Sequence, residues 1–400
     1  TQPGRLGLLL PLSGPYAAIG EAARAAAELA LADQPGVEIV VADTAGDATR
    51  APALVEALVL EQGVAAILGP VGSIESFAAA RAAERMEVPI VTLASREDLT
   101  ALGPFVFRHR MTRSEQARAV ARYACDQLGL RSFAILAPDS DYGHDMTQAF
   151  WRTVERCGGE IRGAQFYSPR ATEFHDAIKK LIGRSDLSAR SPDHRWERLN
   201  RKSKDPAQHV PPIVDFDAIY VPDVGPRARL VLPFLTYWDI ELRTDPELDA
   251  ARFAPKYGGE VPNLVQVLGS AGFASPGFAA RAGAPAHNSV FVDGFWAEDP
   301  DAAIFVQRFI DKTGRPPSDL AAHAYDAALL LARALAGQRD REGVRRALSD
   351  IRDHRGVFGP TRVAGDGEVQ FDLHVLTIRP DGTVGPHDLA PLRGADEDAP

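Results

Sequence analysis

No apolar run in this 400-residue sequence approaches the roughly 18–20 residues of a membrane-spanning helix, which excludes helical membrane spanning. Positive charge is also short: 44 Lys and Arg stand against 54 Asp and Glu, a net charge of −10. A nucleic-acid binder needs a basic face to neutralise phosphates, and docking on anionic lipid needs the same, so the balance argues against both. Cysteine is scarcest, with only Cys125 and Cys157. They lack metal-type spacing, so two buried thiols are the simplest expectation; one disulfide stays open, because sequence alone does not bring two sulfurs within reach. The chain begins at Thr1 rather than methionine. That start points to an N-terminal segment removed by processing or by trimming; if it was a signal peptide, the compartment is extracytoplasmic, with lipid anchoring left open.

What is present is ordinary globular composition, 45% hydrophobic and 24% charged. The length suggests two or three domains, each able to bury a core. Short apolar runs alternate with Ala/Leu-rich helical stretches. The runs at Arg5–Pro11, Val37–Ala42, Ala65–Leu68 and Pro89–Leu93 predict strands, with helices over about 20–33, 49–62 and 73–86 between them. This β-α-β rhythm implies a parallel sheet with right-handed crossovers. It restarts after Phe105–Arg108, with helices near 113–128, 144–157, 173–182 and 226–237 and strands at Ser132–Ala137, Glu160–Phe166, Ala218–Val221 and Leu264–Leu268. Residues 183–212 are polar and proline-punctuated and predict a surface insertion. Helices return at about 302–313, 320–335 and 342–349, and Phe358–Ile378 predicts a β-hairpin around Ala364–Gly367. Residues 385–400 predict a loose acidic tail.

Chemical motifs are missing. No phosphate-cradling G-x-x-x-x-G-K-[ST] or G-x-G-x-x-G follows the first strand, and no G-x-S-x-G elbow appears. The ten histidines form no metal-ligand spacing, and Asp139, Asp141 and Asp145 lack the glycine and terminal glutamate of a Ca²⁺ loop. Hence no enzyme, cofactor or metal is expected. What recurs is a junction: strands end in Ser13-Gly14-Pro15, in Gly69-Pro70-Val71-Gly72-Ser73 and in Leu93-Ala94-Ser95. Ligands of open α/β sheets bind at such carboxyl ends, where small hydroxyls and helix N-termini suit an anion. Taken singly, Ser73 and Ser95 are as simply helix N-caps.

Five stretches carry a resemblance. LGLLLPLSGPYAAIGEAARAAAELALAD, ILGPVGSIESFAAARAAERMEVPIVTLAS, LAPDSDYGHDMTQAFWRTVERCGGEI, and AHAYDAALLLARAL with GVFGPTRVAGDGEVQFD resemble the type I periplasmic binding proteins. The likeness is to their leucine/branched-chain amino-acid-binding, or extracellular ligand-binding receptor, family. It implies an α/β fold of two doubly wound parallel-sheet lobes joined by three hinge crossovers, near 107–111, 296–300 and 353–357. Lobe 1 would hold 1–108 and 300–352, and lobe 2 would hold 109–299 and 353–384. The implied function is an extracytoplasmic, periplasmic solute-binding protein of an ABC importer, closing by hinge motion on a small carboxylate-bearing or amino-acid-like ligand between the lobes. Its implied partners are that ligand and a membrane permease.

Carried over by resemblance, Ser73 matches the serine that holds a ligand carboxylate, and Ala94 and Ser95 match strand-end contacts, with Ser13 on the first strand's turn. Tyr142 matches a second-lobe pocket tyrosine, and Trp296 falls near a crossover at the cleft mouth. Ile19 and Val224 replace aromatic positions. Ala271 stands where the family has the acid that pairs with a ligand ammonium, and Asp223 is the candidate substitute. Loss of that acid favours another carboxylate or a more apolar ligand. Arg108 and Arg110 either meet an anion or are solvated. PPIVDFDAIYVPD, after the insertion, also resembles the type I lobe of penicillin-binding-protein activator lipoproteins. That second resemblance implies a surface contacting a cell-wall synthase, with no transported ligand.

Overall fold

The computed structural model describes residues 1–186, 210–245, 248–259, 261–275 and 277–387. The chain opens with β1 (Arg5–Leu10), α1 (Ala17–Leu31), β2 (Glu38–Asp43), α2 (Ala51–Leu60), β3 (Ala66–Leu68), α3 (Ser73–Arg85), β4 (Ile90–Thr92) and β5 (Val106–Arg108). Their sheet runs β2-β1-β3-β4-β5, all parallel. β1, β3 and β4 are buried on both faces, which is why they read as continuous apolar runs without alternation. β2 lies at the edge and stays half exposed.

Next come α4 (Arg113–Asp126), β6 (Ser132–Pro138), α5 (Asp141–Arg156), β7 (Glu160–Tyr167), α6 (His175–Leu181), β8 (Ala218–Val221), α7 (Gly225–Tyr237), β9 (Gln266–Gly269) and β10 (Val290–Asp293). Then follow α8 (Ala303–Thr313), α9 (Asp319–Leu335), α10 (Arg341–Ser349), β11 (His354–Gly356), β12 (Gly359–Val363), β13 (Val369–Phe371), β14 (His374–Ile378) and β15 (Val384–Pro386). The described chain forms two compact units, the first from 1–112 and 294–373, the second from 113–293 and the chain from His374 onward.

In the first unit α1 buries Gly20, Ala23, Ala26, Ala27 and Ala30, a stripe at helical spacing, and packs against the Ala-rich α9. Small side chains let two helices approach closely. The end of β5 is tied to the β12–β13 turn: Arg108 N–H donates to the Gly367 carbonyl at 3.1 Å. The Arg108 guanidinium, 3% exposed, pairs with Glu368 at 2.7 Å. These bonds hold the antiparallel β11-β12-β13 sheet in the first unit, so the chain leaves that unit at Leu373 rather than at the 353–357 expected from sequence. The expected hairpin is likewise split. β12 and β13 pair with each other, whereas β14 pairs antiparallel with β10 in the second unit.

The second unit's sheet runs β15-β14-β10-β9-β8-β6-β7, parallel from β10 to β7, with the last two strands antiparallel at one edge. Cys125, at the end of α4, and Cys157, just past α5, form a disulfide, replacing the expectation of two thiols. Most of the predicted insertion lies outside the described residues, as does the predicted tail from 388 onward. The insertion's base is closed by Arg184, which donates to the Val210 carbonyl at 2.5 Å and to Asp239 at 2.8 Å.

Candidate functional site

The first unit presents the ends of β1, β3 and β4. At β1, Asp43 accepts from the N–H groups of Leu12 (2.8 Å), Ser13 (3.2 Å) and Ala45 (2.8 Å). The Ser13 hydroxyl also bonds Asp43, and together these donors hold the carboxyl below its ordinary value. Ser13 therefore braces its own turn.

Ser73 and Ser95 differ from it. β3 and β4 are neighbours, and Leu93 N–H donates to the Pro70 carbonyl at 3.0 Å, so the two strand ends leave the sheet side by side. Ser73 is the first residue of α3, after an N-cap at Gly72 with no side-chain cap. Ser95 follows the buried Ala94 in a loop, not at a helix start. The N-cap alternative thus fails for both serines. Each is half-buried, and among the described residues neither hydroxyl has a protein partner. The first N–H groups of a 13-residue helix point the same way as the positive end of its dipole. Glu75, unnoticed in the sequence, sits beside them, 4% exposed. Burial raises its carboxyl above the ordinary range, against bonds from Thr44 and from the Gly72 N–H.

Other first-unit candidates are spent elsewhere. Arg108 and Arg110 face carboxylates of the chain itself: Arg108 pairs with Glu368, and Arg110 pairs with Asp319 at 2.8 Å. Trp296 is half-buried in a turn, its carbonyl taking the Asp299 N–H at 3.1 Å. Phe295 and Tyr325 pack on Phe305 as core. Ile19 is exposed at the start of α1.

In the second unit the ends of β6, β7, β8 and β9 gather one polar cluster. Ser140 caps α5 by accepting from Gly143 N–H at 3.3 Å, which sets Tyr142 on the first turn. Tyr142 is half-buried. Burial of its hydroxyl and the charge of Asp223 raise the phenol above its usual value, against a bond with Ser270 and the Arg113 charge. Asp223, 2% exposed, follows β8. It accepts from Tyr167 Oη–H at 2.6 Å and from Val224 N–H at 2.7 Å, with Arg227 Nε 3.5 Å away. Burial lifts its carboxyl, against these three partners. Ser270 Oγ donates to the Asp223 carbonyl at 2.8 Å.

Ala271 opens a short 3-10 turn beside this cluster, and Val224 is exposed. A Cβ at Gly272 would stand 2.4 Å from the Asp223 carbonyl oxygen, so the two strand-end loops meet backbone to backbone. Tyr167, Ser270 and Arg227 escaped the sequence. Only Ser270 had a signal, lying next to Ala271 in LGSAGF.

A model of the family described as periplasmic binding protein matches residues 3–183 and 236–383. A comparison with curated proteins gives no match. Among solved structures, a putative branched-chain amino acid ABC transporter from Rhodospirillum rubrum is 25% identical, with TM-score 0.75, covering 96% of this chain and 100% of that one. Two others are alike in fold. The branched-chain amino acid transporter substrate-binding protein of Streptococcus pneumoniae, in complex with isoleucine, is 22% identical, with TM-score 0.67, over 98% and 100% of the two chains. A solute-binding protein of an ABC transporter from R. palustris, in complex with benzoate, is 20% identical, with TM-score 0.66, over 99% and 98%. These findings lend no support to contact with a cell-wall synthase.

Proposed function

The chain belongs to the periplasmic binding protein family and is a solute-binding protein of the ABC-importer type, and we propose that its solute is a small carboxylate. Its partners are that small molecule and a membrane permease, and its place is outside the cytoplasm. Ser73 and Ser95 are proposed to take the carboxylate by their hydroxyls, with the backbone around Ala94 and the first turn of α3. Tyr142 is proposed to stand against the rest of the ligand. The observation that carries this reading is the pair of half-buried hydroxyls, without protein partners among the described residues, on adjacent strand ends. A carboxylate needs that kind of donor and loses most of its hydration on binding.

The test is thermal stabilisation by a panel of monocarboxylates and amino acids, on wild type and on the Ser73→Ala, Ser95→Ala double variant. A ligand at a hundred times its Kd stabilises by about 2.7 kcal/mol. Two lost hydrogen bonds to a charged group cost about 3 kcal/mol or more together, roughly a hundredfold in Kd. Ligand-induced stabilisation should vanish in the double variant at concentrations that stabilise wild type. Undiminished stabilisation would refute the assignment.

A further inference from the structure

We propose that the carboxylate enters the first unit together with one proton, and that Glu75 is the group that takes this proton, so that Glu75 sets the pH range over which the solute is held. The inference rests on the carboxylate reading above and adds a regulation of that same site. Every residue it uses lies in the first unit.

Glu75 is the third residue of α3, two past Ser73. A glutamate at that position can fold back on the residue before the helix and accept its N–H. Here the Gly72 N–H bonds the Glu75 carboxyl, and a Cβ at Gly72 would stand 2.9 Å from Oε2. The carboxyl therefore lies against the same first turn whose amides and dipole the ligand carboxylate is proposed to use. Two anions would share one helix N-terminus within a turn of about 5.4 Å pitch. That is well inside the roughly 10 Å over which 0.1 M salt screens charge.

The surroundings of Glu75 do not offset its charge. Among the described residues its Oε1 is buried without a hydrogen-bond partner. The Thr44 hydroxyl, itself buried, and the Gly72 N–H are neutral. The charges that act on it, from the loop after β2, are Asp43 and Asp47, and both are negative. The Ser13 hydroxyl, with three N–H groups, holds Asp43 below its ordinary value, and the Thr49 hydroxyl does the same for Asp47, so both stay ionised. The bases of the adjoining helices are engaged or distant. Arg50 acts on Asp47, Arg85 at the far end of α3 pairs with Glu56 at 3.5 Å, and Arg81 is exposed, six residues beyond Glu75. Burial, with the two aspartates, raises the Glu75 carboxyl above its ordinary 4.5. A ligand carboxyl held by hydroxyls and N–H groups is driven the other way, so where the two meet the proton goes to Glu75.

The experiment is calorimetric titration of the full chain with benzoate, 4-methylpentanoate and leucine at pH 5.5, 6.5, 7.5 and 8.5, each in buffers of low and high ionisation enthalpy. A proton taken up on binding is harder to supply as pH rises, so affinity for the tightest binder should fall at least tenfold across this range. The difference between buffers should read net proton uptake. Glu75→Gln keeps the shape and an acceptor for the Gly72 N–H but does not titrate. Its affinity should vary by less than about threefold over the same range, and at pH 8.5 should exceed that of wild type at least threefold. Binding by wild type that is independent of pH and takes up no proton overturns this inference and leaves the carboxylate reading intact, and that arm needs no variant to fold. An unchanged pH slope in Glu75→Gln places the proton on another group and also overturns it. Silence from all three compounds overturns the carboxylate reading and this inference with it.

Discussion

Asp326 on α9 supplies a prediction whose sign and size follow from its surroundings. The side chain is fully buried, with Oδ1 accepting the Val357 N–H at 2.9 Å. Among the described residues Oδ2 has no partner. The carboxyl is pressed onto Gly356, where a Cβ would stand 2.1 Å from Oδ1. Burial raises its pKa from 3.8 to about 7, against two backbone bonds. Between those values the folded state holds a proton that the unfolded state has released, so stability falls as pH rises through the window. At about 1.36 kcal/mol per unit the loss from this group approaches 4 kcal/mol by pH 7.

His109, at the end of the first unit's opening segment, works in the opposite sense. It is fully buried, its Nδ1 lies 2.8 Å from Nδ1 of His323, and burial lowers its pKa from 6.5 to about 3. Here the unfolded state binds the extra proton, so stability rises from about pH 3 to 6.5 by a similar amount. The two contributions offset each other in wild type between about pH 4 and 6.5. Asp326→Asn removes one of them. Denaturant unfolding at pH 4, 6 and 8 should then show stability rising toward neutrality by several kcal/mol more in the variant than in wild type. The difference between the two proteins should change by about 4 kcal/mol from pH 4 to pH 8. Any fixed cost of the asparagine cancels in that comparison. A wild-type-to-variant difference independent of pH would refute the reasoning.

Two further outcomes follow from paired groups. Glu368→Ala leaves the buried Arg108 guanidinium without its carboxylate, and should cost about 3–5 kcal/mol of first-unit stability in denaturant melts; a loss below about 1 kcal/mol would contradict the pairing. Replacing both Cys125 and Cys157 by serine opens a loop spanning 32 residues, and chain entropy puts the loss at about 3–4 kcal/mol; two titratable thiols in the native oxidised protein would contradict the bond.

Much of the fold was legible in the sequence because buried parallel strands and Ala-rich helices write themselves as runs and stripes. β1, β3, α1 and α9 fall close to where periodicity puts them. The end of the chain was not legible. Alternation runs unbroken through Val369, Phe371, Leu373 and Val375, yet the backbone changes units between Leu373 and His374, and periodicity carries no record of which sheet a strand joins. β10 escaped because four apolar-rich residues fit helix or strand equally. At the site, Ser73 and Ser95 were findable as strand ends. The state of Asp223 was not, since its lock comes from Tyr167, 56 residues away in sequence. Residue identity suggested an acid for an ammonium; the fold shows it already accepting from Tyr167 and Val224 beside Arg227.

The packing of α1 on α9 has a consequence for how the protein is made. On the nascent chain the alanine stripe of α1 lacks its α9 partner until synthesis has moved from Leu31 past Asp319. At about 5–20 residues per second that interval is on the order of 15–60 s, long compared with helix formation or collapse. Contacts of such sequence separation also close slowly once both halves exist. The side of the first unit's sheet that carries α1 therefore waits for α9 through most of translation, whereas the core formed with α2 and α3, drawn from residues 9–106, is complete in sequence long before.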